Sequence, residues 1–256
     1  MIAAAYPLPF VFEIPAHNPW DGHVSVDLVV QVVDPLDPSR MARLHAALRG
    51  FWLLGAAGGL AGNVIPPWQS ACTAPAISIS GQLARFAFSP TLLDERATSS
   101  LLALLLSAHE EVPLQGARLS SPGSLTHRIV FDATFEDPYP VLWPALPFQT
   151  DIDDSESETR VLRVQFVDPL SPAQVAAVQG YLRAWAEAAE WGGFALPPVP
   201  TRSSACLAND PVEHYEGELL WPINKCRFHP SALDSLVAVC ATIHHRVANI
   251  NEVAVE

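Results

Sequence analysis

Lysine is all but missing from this chain. Lys225 is the only one among 14 basic residues, set against 27 acidic ones for a formal net charge of -13. Proteins that bind nucleic acid gather Lys and Arg into a basic face, so nucleic acid is not an expected partner. Long apolar runs are missing too. The stretch LLALLL at Leu101 to Leu106 falls far short of the roughly 20 residues a membrane-spanning helix needs, and no membrane partner is expected. The opening MIAAAYPLPFVFEIP has no basic leading segment and is broken by prolines. It does not read as a secretory signal, and the expected location is the cytoplasm.

Cysteine is scarce and scattered. Cys72, Cys206, Cys226 and Cys240 form no CxxC pair, which argues against a zinc ribbon or a thioredoxin-type motif and leaves four free thiols as the expectation in a reducing compartment. Nucleophile elbows, HExxH, P-loops and dinucleotide fingerprints are absent as well, so no cofactor and no metal are expected. The acidic run DIDDSESE from Asp151 has no central glycine, and Leu162 stands where a calcium loop needs its final Glu. It reads as a solvated linker.

What the chain does contain is itself, twice. A shift of 134 residues aligns Val30–Cys72 with Val164–Cys206 without a gap, from VDPLDP and VDPLSP through paired glycines (Gly58-Gly59, Gly192-Gly193) to SAC and SAC. With small gaps the match continues: FSPTLLD answers FHPSALD, and LLALLLSAHEEV answers LVAVCATIHHRV. The lead-ins LPFVFEI and LPFQTDI agree too. This is the signature of an internal duplication.

Each copy begins with a β-rich run, VSVDLVVQVV or TRVLRVQFV, that ends at Asp-Pro, where proline stops a central strand. Asp37 or Ser171 then precedes Pro38 or Pro172, the order of N-cap and first-turn proline at a helix start. The repeated motif therefore reads as a strand-to-helix hinge, and acid/base or metal roles for Asp34 and Asp168 are set aside. Met41, Leu44, Leu48, Phe51 and Gly55, with Val175, Val178, Leu182, Trp185 and Ala189 in the second copy, make one stripe at helical spacing. The glycine pairs supply the helix stop. A hairpin follows each SAC, clearest as AISIS, GQ, LARFAF. A second helix then carries Leu101, Leu104, Leu105, Ala108 and Val112, matched by Leu236, Val239, Cys240, Ile243 and Val247, before a closing strand near LQGARL or NINEVAV.

The expected fold is α+β: a tandem duplication of a βαββαβ, ferredoxin-like unit about a pseudo-twofold axis. Residues 1–122 would be the first repeat with an extended N-terminal arm. Residues 123–157 would be a connector with one extra strand and an acidic linker, and 158–256 the second repeat. The Pro and aromatic residues around Tyr139, Trp143 and Phe148 would cover a sheet edge or face.

His109 and His244 stand at equivalent helix ends, where an imidazolium complements the dipole or bonds the last carbonyls. Cys72 and Cys206 read as small buried thiols. The copies differ most between Cys206 and Phe228, which spans 22 positions against 16 from Cys72 to Phe88. That extra length places the candidate ligand-binding site at Arg202, Cys206, Glu213, His214, Tyr215 and Trp221. His214 would act as acid/base or hydrogen-bonding group, Arg202 would hold an anion, Tyr215 and Trp221 would give contact area, and Cys206 is a secondary nucleophile. An ordinary solvated loop is the competing reading. The expected function is a non-catalytic binding protein for an unknown small molecule or protein partner. The alternative is an enzyme of dimeric α+β-barrel type whose sheets enclose a pocket between the repeats.

Overall fold

Alternation decides the strands. In β2 (Val24–Val32), Val26, Leu28, Val30 and Val32 are buried while Ser25 and Gln31 are exposed. A period of two gives an antiparallel strand one dry face and one wet face. A computed structural model describes residues 8–15, 24–61, 66–70, 72–91, 95–121, 126–129, 146–153, 159–194, 207–208, 213–224 and 231–256. Its first half contains β1 (Val11–Pro15), β2, α1 (Pro38–Ala56), β3 (Ala76–Ser80), β4 (Leu83–Thr91), α2 (Glu95–Glu111), β5 (Leu114–Ser120) and β6 (Thr126–Ile129). The second contains β7 (Gln149–Ile152), β8 (Thr159–Phe166), α3 (Pro172–Glu190), β9 (Leu207–Ala208), β10 (Glu213–Tyr215), β11 (Glu218–Asn224), α4 (Ser231–Arg246) and β12 (Ile250–Val255). The result is a mixed α+β fold.

One sheet runs β3-β4-β2-β5-β1-β6 and the other β10-β11-β8-β12-β7, with β9 on β11. Their central paths correspond strand for strand. The two lead-ins correspond too: β1 pairs parallel with β5, and β7 pairs parallel with β12. Within the expected N-terminal arm, Val11–Pro15 is therefore a sheet strand. The expected connector is divided, with β6 on β1 in the first sheet and β7 in the second. Tyr139, Trp143 and residues 154–158 lie outside the described residues, whereas Phe148 is buried.

Both hinges cap their helices as the spelling implies. Asp37 accepts from the Arg40 amide at 2.8 Å, with Pro38 in the first turn. Ser171 and Gln174 form a reciprocal capping box. The predicted stripes are inside: Leu44, Leu48 and Phe51 in α1, Val178, Leu182 and Trp185 in α3. Gly58 and Gly192 adopt positive φ of 82° and 76° just past the helix ends, a conformation with little steric cost only for glycine.

The second hairpin corrects the sequence alignment. Phe88 pairs with Val26, and Arg160, which the 134-residue shift places opposite Val26, pairs with Ile223. Ile223, not Phe228, therefore holds the place of Phe88. It stands 17 positions after Cys206, against 16 between Cys72 and Phe88, so the second hairpin is longer by one residue rather than six. The letters FxPxxLD recur in different structures, since Ser89–Thr91 end a strand and Ser231–Asp234 begin a helix.

His109 and His244 are also corrected. Instead of donating to the last helix carbonyls, each accepts through Nδ1 from the first amide of the closing strand: Leu114 N–H at 3.0 Å and Ile250 N–H at 2.9 Å. Each ring also packs on a phenylalanine, Phe10 at 5.5 Å or Phe148 at 5.9 Å.

The halves meet helix to helix. α1 crosses α3 so closely that a Cβ on Gly50 would stand 2.8 Å from the Ala188 Cα. Ser235 Oγ of α4 donates to the Gly59 carbonyl at 2.7 Å, and Arg49 pairs with Glu187 at 3.2 Å. The contact between halves is thus made by helices, α1 on α3, within one continuous core, and not by the sheets face to face. At the outer edge, β3 leaves Ile77 and Ile79 partly exposed.

Two glycines inside helices should respond oppositely to substitution. Gly50→Val forces backbone against backbone and should cost about 2 kcal/mol or more. Gly180→Ala meets no atom within 4 Å and should gain about 1 kcal/mol from helix propensity. Urea denaturation of both proteins reads the two signs, and a neutral Gly50→Val would remove the close crossing.

Burial holds His109 below the usual histidine range, opposed by the Glu110 charge. The unfolded chain, titrating near ~6.5, then takes up its proton first as pH falls. The contribution is complete above that value and is lost as pH falls through the lower folded-state value. Wild type should therefore lose more stability between pH 7 and pH 5 than His109→Gln, whose amide oxygen accepts without titrating. Equal losses would sink the assignment.

Candidate functional site

The residues singled out from sequence separate in space. Arg202 and Cys206 lie outside the described residues. Glu213 and His214 belong to edge strand β10, in register with Leu220 and Leu219, so they form part of a hairpin rather than an inserted loop. Tyr215 is exposed and leads into the turn at Glu216-Gly217, where both residues have positive φ (36° and 95°). That turn type matches the twist of the flanking strands. Trp221 is a core residue at 2 % exposure, set edge-on to Trp185 with ring centroids 5.9 Å apart. It therefore offers no contact area to a ligand at the surface, which corrects its assigned role.

Among the described thiols, Cys72 and Cys240 are buried and not in a disulfide, and burial pushes the Cys240 thiol up to about 12. A thiol held protonated is a poor nucleophile. Cys226 lies outside the described residues.

A polar cleft opens instead at the second hinge, where the loop after β8 meets the end of α4. Its volume is 310 Å3, and Asp168, Gln174, His244, His245, Arg246 and Asn249 are among its walls. Backbone and side-chain bonds fix this place. Val167 N–H donates to the Asn249 carbonyl at 3.0 Å, joining the end of β8 to the turn before β12. Gln174 Nε2 donates to the Val247 carbonyl at 3.1 Å, tying α3 to the end of α4.

Most of the chemically capable groups here are already committed. His244 Nδ1 holds the Ile250 amide. His245 lies against the Trp68 ring with centroids 3.7 Å apart, and partial burial, aided by neighbouring His244, lowers its pKa. Arg246 donates through Nη2 to the carbonyls of Trp68 (2.6 Å) and Ser70 (2.8 Å). Asp168 differs: among the described residues its exposed carboxylate has no ion-pair or hydrogen-bond partner. No group of three or more His, Cys, Asp or Glu side chains suited to a metal occurs among the described residues.

Sequence reasoning treated Asp168 purely as part of a hinge and missed Gln174 and Asn249. The signal available was one position inside the ungapped repeat, Arg40 against Gln174.

No protein-family model and no curated protein sequence matches the chain. Among solved structures, the regulatory subunit of aspartate kinase from Thermus thermophilus is 12% identical, with 89% of this chain and 98% of that chain covered, at a TM-score of 0.23. A conserved protein from Enterococcus faecalis V583 is 8% identical, with 94% and 79% covered and a TM-score of 0.19. A Cas6 product complex is 16% identical, with 90% and 95% covered and a TM-score of 0.16. Among the described residues no helix is long and apolar enough to cross a membrane. The chain is a mixed α+β protein of two sheets and four described helices, similar to these structures at low TM-score.

Proposed function

We propose that the chain is a duplicated ferredoxin-like scaffold that binds a small polar molecule without transforming it, in the cleft at the second hinge. The duplication is supported by the ungapped repeat, by α1 and α3 of 19 residues each starting at matched prolines, and by the common strand path of the two sheets. One observation carries the binding reading. In the cleft walls His244 Nδ1 and Arg246 are hydrogen-bonded to backbone and the His245 ring packs on Trp68, while the Asp168 carboxylate lines the space with its charge open. General acid-base or nucleophilic work needs a group free to exchange a proton beside a second group that orients it. An open carboxylate in a rigid polar cleft instead serves recognition.

A panel of small amines, guanidines, amides and carboxylates, titrated into the full chain, should contain molecules that shift the ring resonances of His244 and His245. Those molecules should also raise the thermal midpoint, as binding to the native state alone requires, and be recovered chemically unchanged. Silence of both rings across the panel, or conversion of a bound molecule to product, would overturn this function.

A further inference from the structure

The two hinges share the letters VDPL, yet the third residue of the following helix is Arg40 in one and Gln174 in the other. Arg40 turns its guanidinium back over its own hinge. Nη2 stands 3.2 Å from Asp34 Oδ2, Nη1 donates to the Pro35 carbonyl at 3.3 Å, and Nε lies 3.8 Å from Asp37 Oδ2. The first hinge thus holds a guanidinium supplied by the chain itself.

The second hinge keeps the Asp-Pro part of the receptor, has Ser171 in place of Asp37, and loses the occupant. Asp168 and Pro169 stand where Asp34 and Pro35 stand, and both line the 310 Å3 cleft. Gln174 is neutral and is used elsewhere: Oε1 accepts from the Ser171 amide at 3.0 Å, and Nε2 donates to the Val247 carbonyl. We propose that this cleft takes a small molecule bearing a guanidinium group, seated against Asp168 and the Pro169 carbonyl as Arg40 is seated against Asp34 and the Pro35 carbonyl. The inference rests on the reading of the cleft as a binding site and of the halves as copies.

Two features favour this ligand. A planar guanidinium reaches a carboxylate and a carbonyl through different nitrogens, which a compact ammonium does poorly. The C-terminal end of α4 and the first turn of α3 both border the cleft, so the two helix dipoles oppose each other there and leave the choice of charge to the side chains. The one resident cation opposes it least where it lies, since Arg246 points its nitrogens away to the carbonyls of Trp68 and Ser70.

The test is titration of the full chain, followed by the His244 and His245 ring resonances, with methylguanidinium, methylammonium and acetate as probes. Methylguanidinium should shift both rings saturably. Asp168→Asn should weaken it by about two- to fivefold, the factor expected for loss of an exposed charge pair. Gln174→Arg should abolish it by restoring an internal occupant, with circular dichroism showing that each variant remains folded. Methylammonium binding as tightly as methylguanidinium, or full affinity in Asp168→Asn, would overturn the guanidinium assignment. Acetate shifting the rings while methylguanidinium does not would also overturn it, yet leave the cleft as a binding site. No response to any probe would remove both readings.

Discussion

The four described helices pack on two sides. One side covers the apolar face of their own sheet, and the other meets the opposite half, helix on helix where α1 crosses α3, and at the glycine turns that follow α3 and α1 for α2 and α4. α4 shows the consequence most fully: Ala232, Leu233, Leu236, Val237, Ala238, Val239, Cys240, Ala241 and Ile243 are all buried, which leaves it no solvent stripe over most of its length. A helix apolar all round is a core helix. At the α1–α3 crossing the same constraint removes side chains altogether, since Gly50 lies on the backbone of Ala188. Close approach there gains dispersion contacts that offset the roughly 1 kcal/mol helix penalty of a glycine.

Several polar groups trapped in this double layer find partners within it, although the buried Ser100 and Ser107 hydroxyls of α2 do not. Ser235 Oγ meets the Gly59 carbonyl across the seam, and Ser70 Oγ meets the Gly55 carbonyl near the end of α1. Trp185 Nε1 donates to the Ala232 carbonyl, placing that large ring in the core without leaving its N–H unpaired. The glycine pairs do more than stop helices. A Cβ on Gly59 would press on Ser235 Oγ at 2.8 Å, so the stop is also a contact point between halves.

Local chemistry was legible in the sequence where one interaction decides it. The Asp37 and Ser171 caps, the first-turn prolines, the stripes of α1 and α3, and the turn at Gly81-Gln82 follow from short-range rules. The mutual arrangement of the halves was not legible in the same way. A helical stripe names the face turned to the sheet, but the seam face is written in Ala, Gly, Ser and Thr, which are equally common on wet surfaces. The unbroken apolar character of α4 was the available clue. The second hairpin was misaligned because FxPxxLD matched by letter, while strand pairing is set by position: Trp221 opposes Leu162 as Phe86 opposes Leu28. Once that register is respected the supposed insertion vanishes, and with it the premise that placed a site around His214.

The candidate cleft depends on the seam as much as on its own hinge. At the end of α2 stand Glu110 and Glu111, whereas the end of α4 carries His245 and Arg246. These two side chains cross to the first half, one against the Trp68 ring and the other onto the carbonyls of Trp68 and Ser70. The wall of the cleft is therefore a strut between the halves, and its positions are held by the buried helix layer rather than by loop stiffness. Asp168 is fixed from the other direction, by a hinge whose following helix is capped and whose preceding strand is central in its sheet. A carboxylate with an open charge is thus set between two well-supported elements. At the first hinge Arg40 lies over Asp34, whereas at the second, where Gln174 and Ser171 stand in place of Arg40 and Asp37, the Asp168 carboxylate is left open to the cleft.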